Sequence, residues 1–379
     1  MIAAFVRVRA LLALCIVLCL STGLHVLAQT PPPVPATLPP AKIEQIDALF
    51  AQWNKPDSPG CALAVIKDGQ IVYKRGYGMA DLERNVPISP HSVFDVGSMS
   101  KQFTAACILI LEQQGKLSVN DDIRKYLPEL PKYDPPVTIR HLLHHTSGIQ
   151  DYLQLMIQAG MRLENEYSEE DVLKMIQSVP KTEFVPGEQH KYSNSGYFLL
   201  SVIVERATGI PLSEFAEQQI FKPLGMTQTH IHDDFTRIVK NRAIGYAPVR
   251  SGGFRLEMSL LDTTGDGGVM TTVEDLFLWD QNFYQSKLVS GQDLITRLIT
   301  PGVLNSGRKL EYACGIMVGD WKGHQIIHHN GAWAGYRAEM IRFPADRLSV
   351  ICLANLGSIN PSRLTRQVAD LLLTNQGQK

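Results

Sequence analysis

The chain has 379 residues, enough to bury a large apolar core in one large domain or in two intertwined ones. Its formal net charge is −1, and its lysines and arginines are scattered along the sequence. Binding to nucleic acid or to an anionic membrane surface needs a local basic field, so this pattern argues against both partners.

Residues 1–28 have the order of a secretory signal peptide. Arg7 and Arg9 precede a short apolar run over 11–20, and small residues follow as a cleavage site. The run is too short to span a bilayer of about 30 Å, although an uncleaved anchor is the alternative. The proline-rich segment 29–40 predicts a semi-rigid linker. We expect a periplasmic or secreted mature protein with no stable membrane insertion.

Local patterns predict the elements at the N-terminal end of the mature chain. Apolar residues at helical spacing predict a helix over 41–54. Two β-rich runs, 61–66 and 70–77, are joined at Asp68-Gly69, which is a strong hairpin signal. A second amphipathic helix is predicted over 98–114, with Gly115 as its C-terminal cap.

The centre of the chain, residues 116–262, is predicted to be mostly helical with long loops. Its clearest helix, 195–208, is closed by Gly209. Thr271 and Glu274 have capping-box spacing, which predicts a further helix to about residue 284. The remaining predicted elements are β-rich runs at 325–329, 335–343 and 347–356 and a helix over 362–373.

Strands at both ends with helices between them predict a discontinuous α/β (α+β) fold. The sheet is expected to be antiparallel, because its connections include hairpins, and to be flanked by helices. We assign residues 41–115 and 263–379 to the α/β domain and 116–262 to an inserted, mostly helical domain. The cleft between them is the expected site.

Ser98 and Lys101 are the first candidates for chemistry. A serine is a weak nucleophile unless a neighbouring base takes its proton, and residues three apart share a helical face. The same spacing occurs at 178–181 and 306–309, but only the copy at Ser98 opens an amphipathic helix. The alternative is an N-cap serine beside a solvated lysine.

Two further patterns follow along the chain. A phenol such as Tyr192 can relay a proton, and the amide of Asn194 can hold a substrate carbonyl. The alternative is a polar turn capped by Asn194. In the third pattern, His329 lies at the end of one β-run, Gly331 lets a ligand approach the strand edge, and the Ala332 N–H is a candidate oxyanion donor.

These three patterns, in this order, make the chain similar to the serine β-lactamase and penicillin-binding-protein superfamily. Within it, the chain resembles the class C branch of β-lactamases, soluble DD-peptidases, D-aminopeptidases and esterases. The resemblance covers about residues 42–375 and includes the stretches 142–149 and 267–276.

The resemblance implies that Ser98 attacks the substrate carbonyl, while Lys101 and Tyr192 shuttle the proton. The N–H groups of Ser98 and Ala332 would form the oxyanion hole, and no metal or organic cofactor is implied. The implied substrate-binding residues are Asn194, His329, Gly331 and Ala332.

Three departures from the family pattern bear on substrate choice. His329 stands where class C β-lactamases carry lysine, and Ala332 lacks a hydroxyl that many relatives have. The run 314–318 lacks the arginine with which DD-peptidases of this branch grip a terminal carboxylate. These departures argue against efficient β-lactam hydrolysis and strict carboxypeptidase action.

Four cysteines and three histidines are of residue types that bind metals, but their patterns do not predict a metal site. Cys61, Cys107, Cys314 and Cys352 lie in apolar stretches without CxxC spacing, so we expect small buried side chains. His141 and His145 share a predicted helical face near His144, but no carboxylate or cysteine completes a metal site there.

The sequence therefore predicts an exported serine hydrolase that acts on a small ester, amide or D-amino-acid peptide through an acyl-enzyme on Ser98. The alternatives are a class C-like β-lactamase or DD-peptidase, and a non-catalytic β-lactam or cell-wall sensor. A sensor would be expected to lose Lys101 or Tyr192, and both are present.

Overall fold

The computed structural model describes residues 37–162, 165–288 and 291–373, so the predicted signal peptide and most of the predicted linker lie outside it. No helix within these ranges is both long and apolar enough to cross a membrane. The strands are β1 Cys61–Lys67, β2 Gln70–Tyr77, β3 Met79–Asp81, β4 Val86–Pro87, β5 Phe94–Asp95, β6 His230–Ile231, β7 Tyr246–Pro248, β8 Phe254–Leu256, β9 Val269–Thr271, β10 Met317–Trp321, β11 His324–Trp333, β12 Tyr336–Phe343 and β13 Leu348–Ala354.

Helices fill the segments between and around these strands. Tight 3₁₀ turns occur at Gly97–Ser100 and Ile123–Lys125, and a π turn at Glu217–Phe221. The α-helices are α1 Pro40–Phe50, α2 Lys101–Gln113, α3 Ile139–Leu143, α4 Tyr152–Gln158, α5 Glu169–Gln177, α6 Asn194–Thr208, α7 Leu212–Ala216, α8 Lys222–Leu224, α9 Val273–Asn282, α10 Gly291–Leu298 and α11 Pro361–Leu372.

Strands from both ends of the chain form one antiparallel sheet in the order β10-β11-β12-β13-β1-β2. The predicted hairpin at Asp68-Gly69 is confirmed, and both residues have the positive φ (51° and 80°) that a tight turn of this kind requires. The predicted fold class, an antiparallel sheet flanked by helices, is therefore confirmed.

The sheet is buried on both faces, and this explains why β1 reads as a continuous apolar run. Helices α1 and α11 cover one face, and α9 with α2 and its neighbours covers the other. Alternate β1 residues enter the two cores: Cys61, Leu63 and Val65 on one side and Ala62, Ala64 and Ile66 on the other. All four cysteines after the linker are buried and free, in line with the sequence interpretation.

Several predicted boundaries were wrong for identifiable local reasons. Helix α1 ends at Phe50 rather than at 54, because residues 51–53 form a turn. The capping residue of α9 is Thr272, whose hydroxyl accepts the Asp275 N–H at 3.1 Å, whereas Thr271 belongs to β9. Strand β11 continues to Trp333, so the stretch from His329 to Ala332 lies within a strand rather than between two.

An ion pair inside the core ties α9 to the sheet. Arg342 Nε on β12 lies 2.9 Å from Asp280 Oδ1 on α9, and both side chains are buried. The Ser349 hydroxyl donates to the same carboxylate oxygen at 2.8 Å, and the guanidinium lies 3.8 Å from the centre of the Phe283 ring. These contacts compensate the loss of hydration of both charges.

Replacing Arg342 with methionine should lower the free energy of unfolding by about 3–5 kcal/mol, because the Asp280 charge is left buried without its partner. Chemical denaturation measures the change. The control is Lys322→Met, which breaks the exposed pair with Asp370 at 2.8 Å and should cost much less. Equal losses in the two variants would contradict the importance of the buried pair.

Candidate active site

Ser98 lies in the 3₁₀ turn that immediately precedes α2, so the regular helix begins at Lys101 rather than at 98. Side chains three residues apart are eclipsed in a 3₁₀ turn. Lys101 Nζ accordingly reaches Ser98 Oγ and donates a hydrogen bond to it at 3.1 Å. The serine is partly exposed, whereas the lysine side chain is fully buried.

The Lys101 ammonium is held by oxygen atoms from three separate segments. Besides Ser98 Oγ, it donates to Asn194 Oδ1 at 2.9 Å and to the Asp266 backbone carbonyl at 2.6 Å. Three acceptors match the three N–H bonds of an ammonium. The ring of Tyr192 adds a cation–π contact, with its centre 4.9 Å from Nζ. The buried ammonium group is therefore fully hydrogen-bonded and held in one position.

Asn194, the first residue of α6, is oriented by Asp151. One carboxylate oxygen of Asp151 accepts the Asn194 backbone N–H at 2.5 Å and its side-chain Nδ2 at 2.9 Å. The other oxygen caps α4 by accepting the N–H groups of Leu153 and Gln154. Asn194 Oδ1 is thus directed at Lys101. Sequence reasoning missed Asp151, although an aspartate before a helical run is a cap signal.

Two glycines allow strand β11 to approach the serine turn. A Cβ atom on Gly331 would lie 1.8 Å from the Val96 carbonyl oxygen, and one on Gly97 would lie 2.8 Å from the Ala332 nitrogen. Backbone contact at this distance requires glycine at both positions. It brings Ala332 against the turn that holds Ser98, as the predicted oxyanion hole requires.

His329 is buried and hydrogen-bonded on both ring nitrogens. Nδ1 lies 2.6 Å from the Asn330 carbonyl and must donate to it, so Nε2 accepts from the Tyr312 hydroxyl at 3.1 Å. Burial, assisted by the Lys101 charge, lowers the pKa of His329 to about 4. The imidazole is therefore neutral near pH 7.

Tyr192 belongs to an aromatic cluster with His145 and Tyr312. The His145 ring centre lies 4.1 Å from that of Tyr192 and 4.6 Å from that of Tyr312. Burial, with the nearby Lys101 charge, holds the pKa of His145 well below its usual range. Within the described residues, the half-exposed Tyr192 side chain presents its ring to Lys101, and its hydroxyl bonds neither Lys101 nor Ser98.

The three histidines near residue 143 have separate roles. Helix α3 ends at Leu143, so His141 and His145 do not share a helical face as expected. His141 Nδ1 accepts the Thr138 N–H at 3.2 Å and completes a capping box, and His144 Nδ1 lies 3.1 Å from the Ala313 carbonyl.

A cleft opens beside Ser98 toward the segment 232–268. Asn194 and Ala332 are among its lining residues, whereas Tyr192, Lys101 and His329 are not. Sequence reasoning missed its wall, which no local pattern marks apart from the glycines around residue 266. The side chains of that wall include Asp95, Tyr152, His232, Arg242, Asp266 and Trp333.

The family model described as "Beta-lactamase" matches residues 46–375. The chain belongs to the β-lactamase family. It is 32% identical to penicillin-binding protein 4* of Bacillus subtilis, over 83% of this chain and 72% of that protein. It is 30% identical to a D-aminopeptidase of Gluconobacter oxydans, over 82% of this chain but only 58% of the relative.

Solved structures agree with this assignment. The octameric penicillin-binding protein homologue from Pyrococcus abyssi superposes with a TM-score of 0.76 at 26% identity, covering 88% of this chain and 76% of that one. The resemblance seen in the sequence is thereby confirmed, and the chain is a hydrolase of the β-lactamase fold.

Substituting Gly331 with alanine tests the predicted oxyanion hole: it should slow labelling of Ser98 by a fluorophosphonate by about 10²–10³-fold, the usual cost of losing one such donor. The new Cβ would overlap the Val96 carbonyl and push β11 away from Ser98. Gly319→Ala on β10 is the control, because its Cβ would lie 3.8 Å from the nearest atom. Labelling rates with a fluorophosphonate test the pair, and an unimpaired Gly331→Ala variant would contradict the geometry.

Proposed function

We propose that the chain is an exported serine hydrolase that acts on a small ester, amide or D-amino-acid peptide through an acyl-enzyme on Ser98. The observation that carries the proposal is the 3.1 Å hydrogen bond between Lys101 Nζ, which is buried, and Ser98 Oγ, which borders the cleft. Export is proposed from the signal-like order of residues 1–28. The D-aminopeptidase name of a relative supports the peptide substrates.

In the proposed reaction, the Lys101 ammonium must first release one proton; Ser98 Oγ then attacks the substrate carbonyl carbon, and its own proton passes to the Lys101 amine. The N–H groups of Ser98 and Ala332 stabilise the oxyanion, and Asn194 holds the amide of the acyl group. The bond to the leaving group then breaks, and Lys101 with Tyr192 returns the proton to the departing oxygen or nitrogen. Water finally attacks the acyl-enzyme, which releases the acid and restores Ser98.

Hydrolysis of β-lactams is the weaker alternative, because class C β-lactamases carry a lysine at the position of His329, and the imidazole of His329 is neutral. A neutral, buried imidazole attracts the lactam carboxylate weakly. A DD-peptidase is the other alternative; penicillin-binding protein 4* is a relative, but the run 314–318 carries no arginine. A silent sensor is disfavoured, since both Lys101 and Tyr192 are retained.

The first test is the position and the rate of labelling. A fluorophosphonate should modify Ser98 alone, as peptide mapping by mass spectrometry would show. Lys101→Ala should slow this labelling by about 10²–10⁴-fold, since the serine loses its base. The matched control is Lys181→Ala, the exposed lysine of the S-x-x-K copy at Ser178. An adduct on Ser178 or Ser306 would contradict the proposal. So would a Lys101→Ala variant that is labelled at the normal rate.

The second test is substrate choice. At about pH 7.5, kcat/KM for p-nitrophenyl butyrate should exceed that for nitrocefin, because His329, with a pKa of about 4, supplies no cation for the lactam carboxylate. A neutral ester loses nothing by this change. If nitrocefin were preferred by about a hundredfold, or about 2.7 kcal/mol in transition-state stabilisation, the protein would be a β-lactamase instead.

A further inference from the structure

His145 contacts each of the three residues that precede Asn194, although the proposed reaction does not use it. Its backbone carbonyl accepts the Lys191 N–H at 2.9 Å, and its Nδ1 accepts the Ser193 N–H at 3.2 Å. Its ring lies against that of Tyr192, with the ring centres 4.1 Å apart and the planes inclined by 34°. One buried residue therefore holds the backbone on both sides of Tyr192 and contacts the ring itself.

The backbone of His145 is in the left-handed region, with a φ of 55°. A residue with a Cβ atom rarely adopts this conformation, and it persists where surrounding contacts hold it, often at active sites. In this conformation the carbonyl group and the ring of His145 both reach residues 191–193. The next residue extends the contact, because the Thr146 carbonyl accepts the Gly187 N–H at 2.8 Å. The stretch that leads to Tyr192 is thus tied to the turn at His145.

Burial alone does not hold Tyr192 in place, since its side chain is 38% exposed. The centre of its ring lies 4.9 Å from Lys101 Nζ, and the proposed return of the proton depends on keeping the two groups together. A misplacement of about 1 Å can cost a catalytic group about 10²-fold in rate. The contacts that His145 makes with this segment therefore bear directly on the proton return.

The ring of His145 can accept the Ser193 N–H only while its Nδ1 carries no proton, so the single ring proton is on Nε2. Burial, with the nearby Lys101 charge, holds the pKa of His145 well below its usual range, and the ring is neutral near pH 7. Nε2 has no hydrogen-bond partner among the described residues. Within that part of the chain, the ring therefore makes its hydrogen bond to the segment of Tyr192 alone.

We infer that His145 is a positioning residue, which holds residues 191–193 so that the Tyr192 phenol can return a proton to the leaving group. This inference rests on the proposed function, because it concerns how Tyr192 takes part in acylation. In that step the proton taken from Ser98 passes from Lys101 through Tyr192 to the departing oxygen or nitrogen, and the phenol ends as it began. His145 itself gains and loses no proton.

Two esters with the same acyl group separate this role from a merely structural one. Phenyl butyrate releases a more basic phenolate than p-nitrophenyl butyrate does, so its departure depends more on a proton donor. The measured quantity is the ratio of kcat/KM for the phenyl ester to kcat/KM for the p-nitrophenyl ester. Both values come from one preparation, so a variant that folds only in part still gives the true ratio.

Tyr192→Phe and His145→Phe should each reduce this ratio by about tenfold or more, because the first removes the proton donor and the second displaces it. His145→Asn should reduce the ratio less, since asparagine tolerates a positive φ and its carbonyl oxygen can accept the Ser193 N–H. The matched control is His144→Asn, the adjacent buried histidine, whose Nδ1 lies 3.1 Å from the Ala313 carbonyl. It should leave the ratio unchanged.

The double variant His145→Phe/Tyr192→Phe should have the same ratio as Tyr192→Phe alone, because His145 acts through Tyr192. Losses that add in the double variant would overturn the inference. So would equal losses in His145→Phe and His145→Asn, or a comparable loss in the His144→Asn control.

Fluorophosphonate labelling and the Tyr192→Phe variant separate the two proposals. Absence of an adduct on Ser98 in the unmodified protein, or an unchanged ratio in Tyr192→Phe, would overturn the proposed function itself. A lowered ratio in Tyr192→Phe together with an unchanged ratio in His145→Phe would overturn the positioning role alone.

Discussion

The buried ammonium of Lys101 is the constraint on which the arrangement of the site depends. A charge removed from water is tolerated only when hydrogen bonds replace its hydration, and here the oxygens come from residues 98, 194 and 266. The start of α2, the start of α6 and the loop before β9 must therefore meet at one point. The backbone around Lys101 is also closely packed, since a Cβ on Gly315 would lie 2.5 Å from the Lys101 carbonyl.

The histidines around this ammonium are held neutral, and this limits the pH effects that they can have. Burial and the Lys101 charge lower the pKa of both His145 and His329. A lowered pKa means that either ring gains its proton only in acid, and His329, with a pKa of about 4, does not change charge between about pH 6 and 8. The folded state binds fewer protons here than the unfolded chain does, so these groups favour unfolding as the pH falls below about 6.5.

The features that the sequence predicted correctly are local ones. Ser98 and Lys101 meet because three-residue spacing suffices in a turn, and Asp68-Gly69 forms a hairpin from its own backbone preferences. The helix 195–208 and its terminal Gly209 also follow from local periodicity. The capping error at α9 has a local cause as well, since Thr271 and Thr272 are both able to cap and only the strand pairing of Thr271 decides between them.

The features that were missed depend on contacts between distant parts of the chain. Asp151 reaches Asn194 across 43 residues, and the Asp266 carbonyl reaches Lys101 across 165, so no periodicity could reveal either. The strand predicted from the sequence ends at His329, earlier than β11 does, because Gly331 weakens the β pattern. The structure shows why glycine is there: it allows contact with the Val96 backbone. A residue that lowers strand propensity thus marks the place where the strand approaches the serine.

Charge rather than shape should decide which acyl donors this site accepts. Two unit charges 4 Å apart interact by about 4 kcal/mol at an effective dielectric constant of 20, whereas burying one methylene gains about 0.8 kcal/mol. The neutral ring of His329 offers no attraction to an anion, whereas a lysine at this position would. A fold shared with β-lactamases can therefore favour neutral over anionic donors through one side chain, while the Ser98 turn and the Lys101 hydrogen bonds stay as they are.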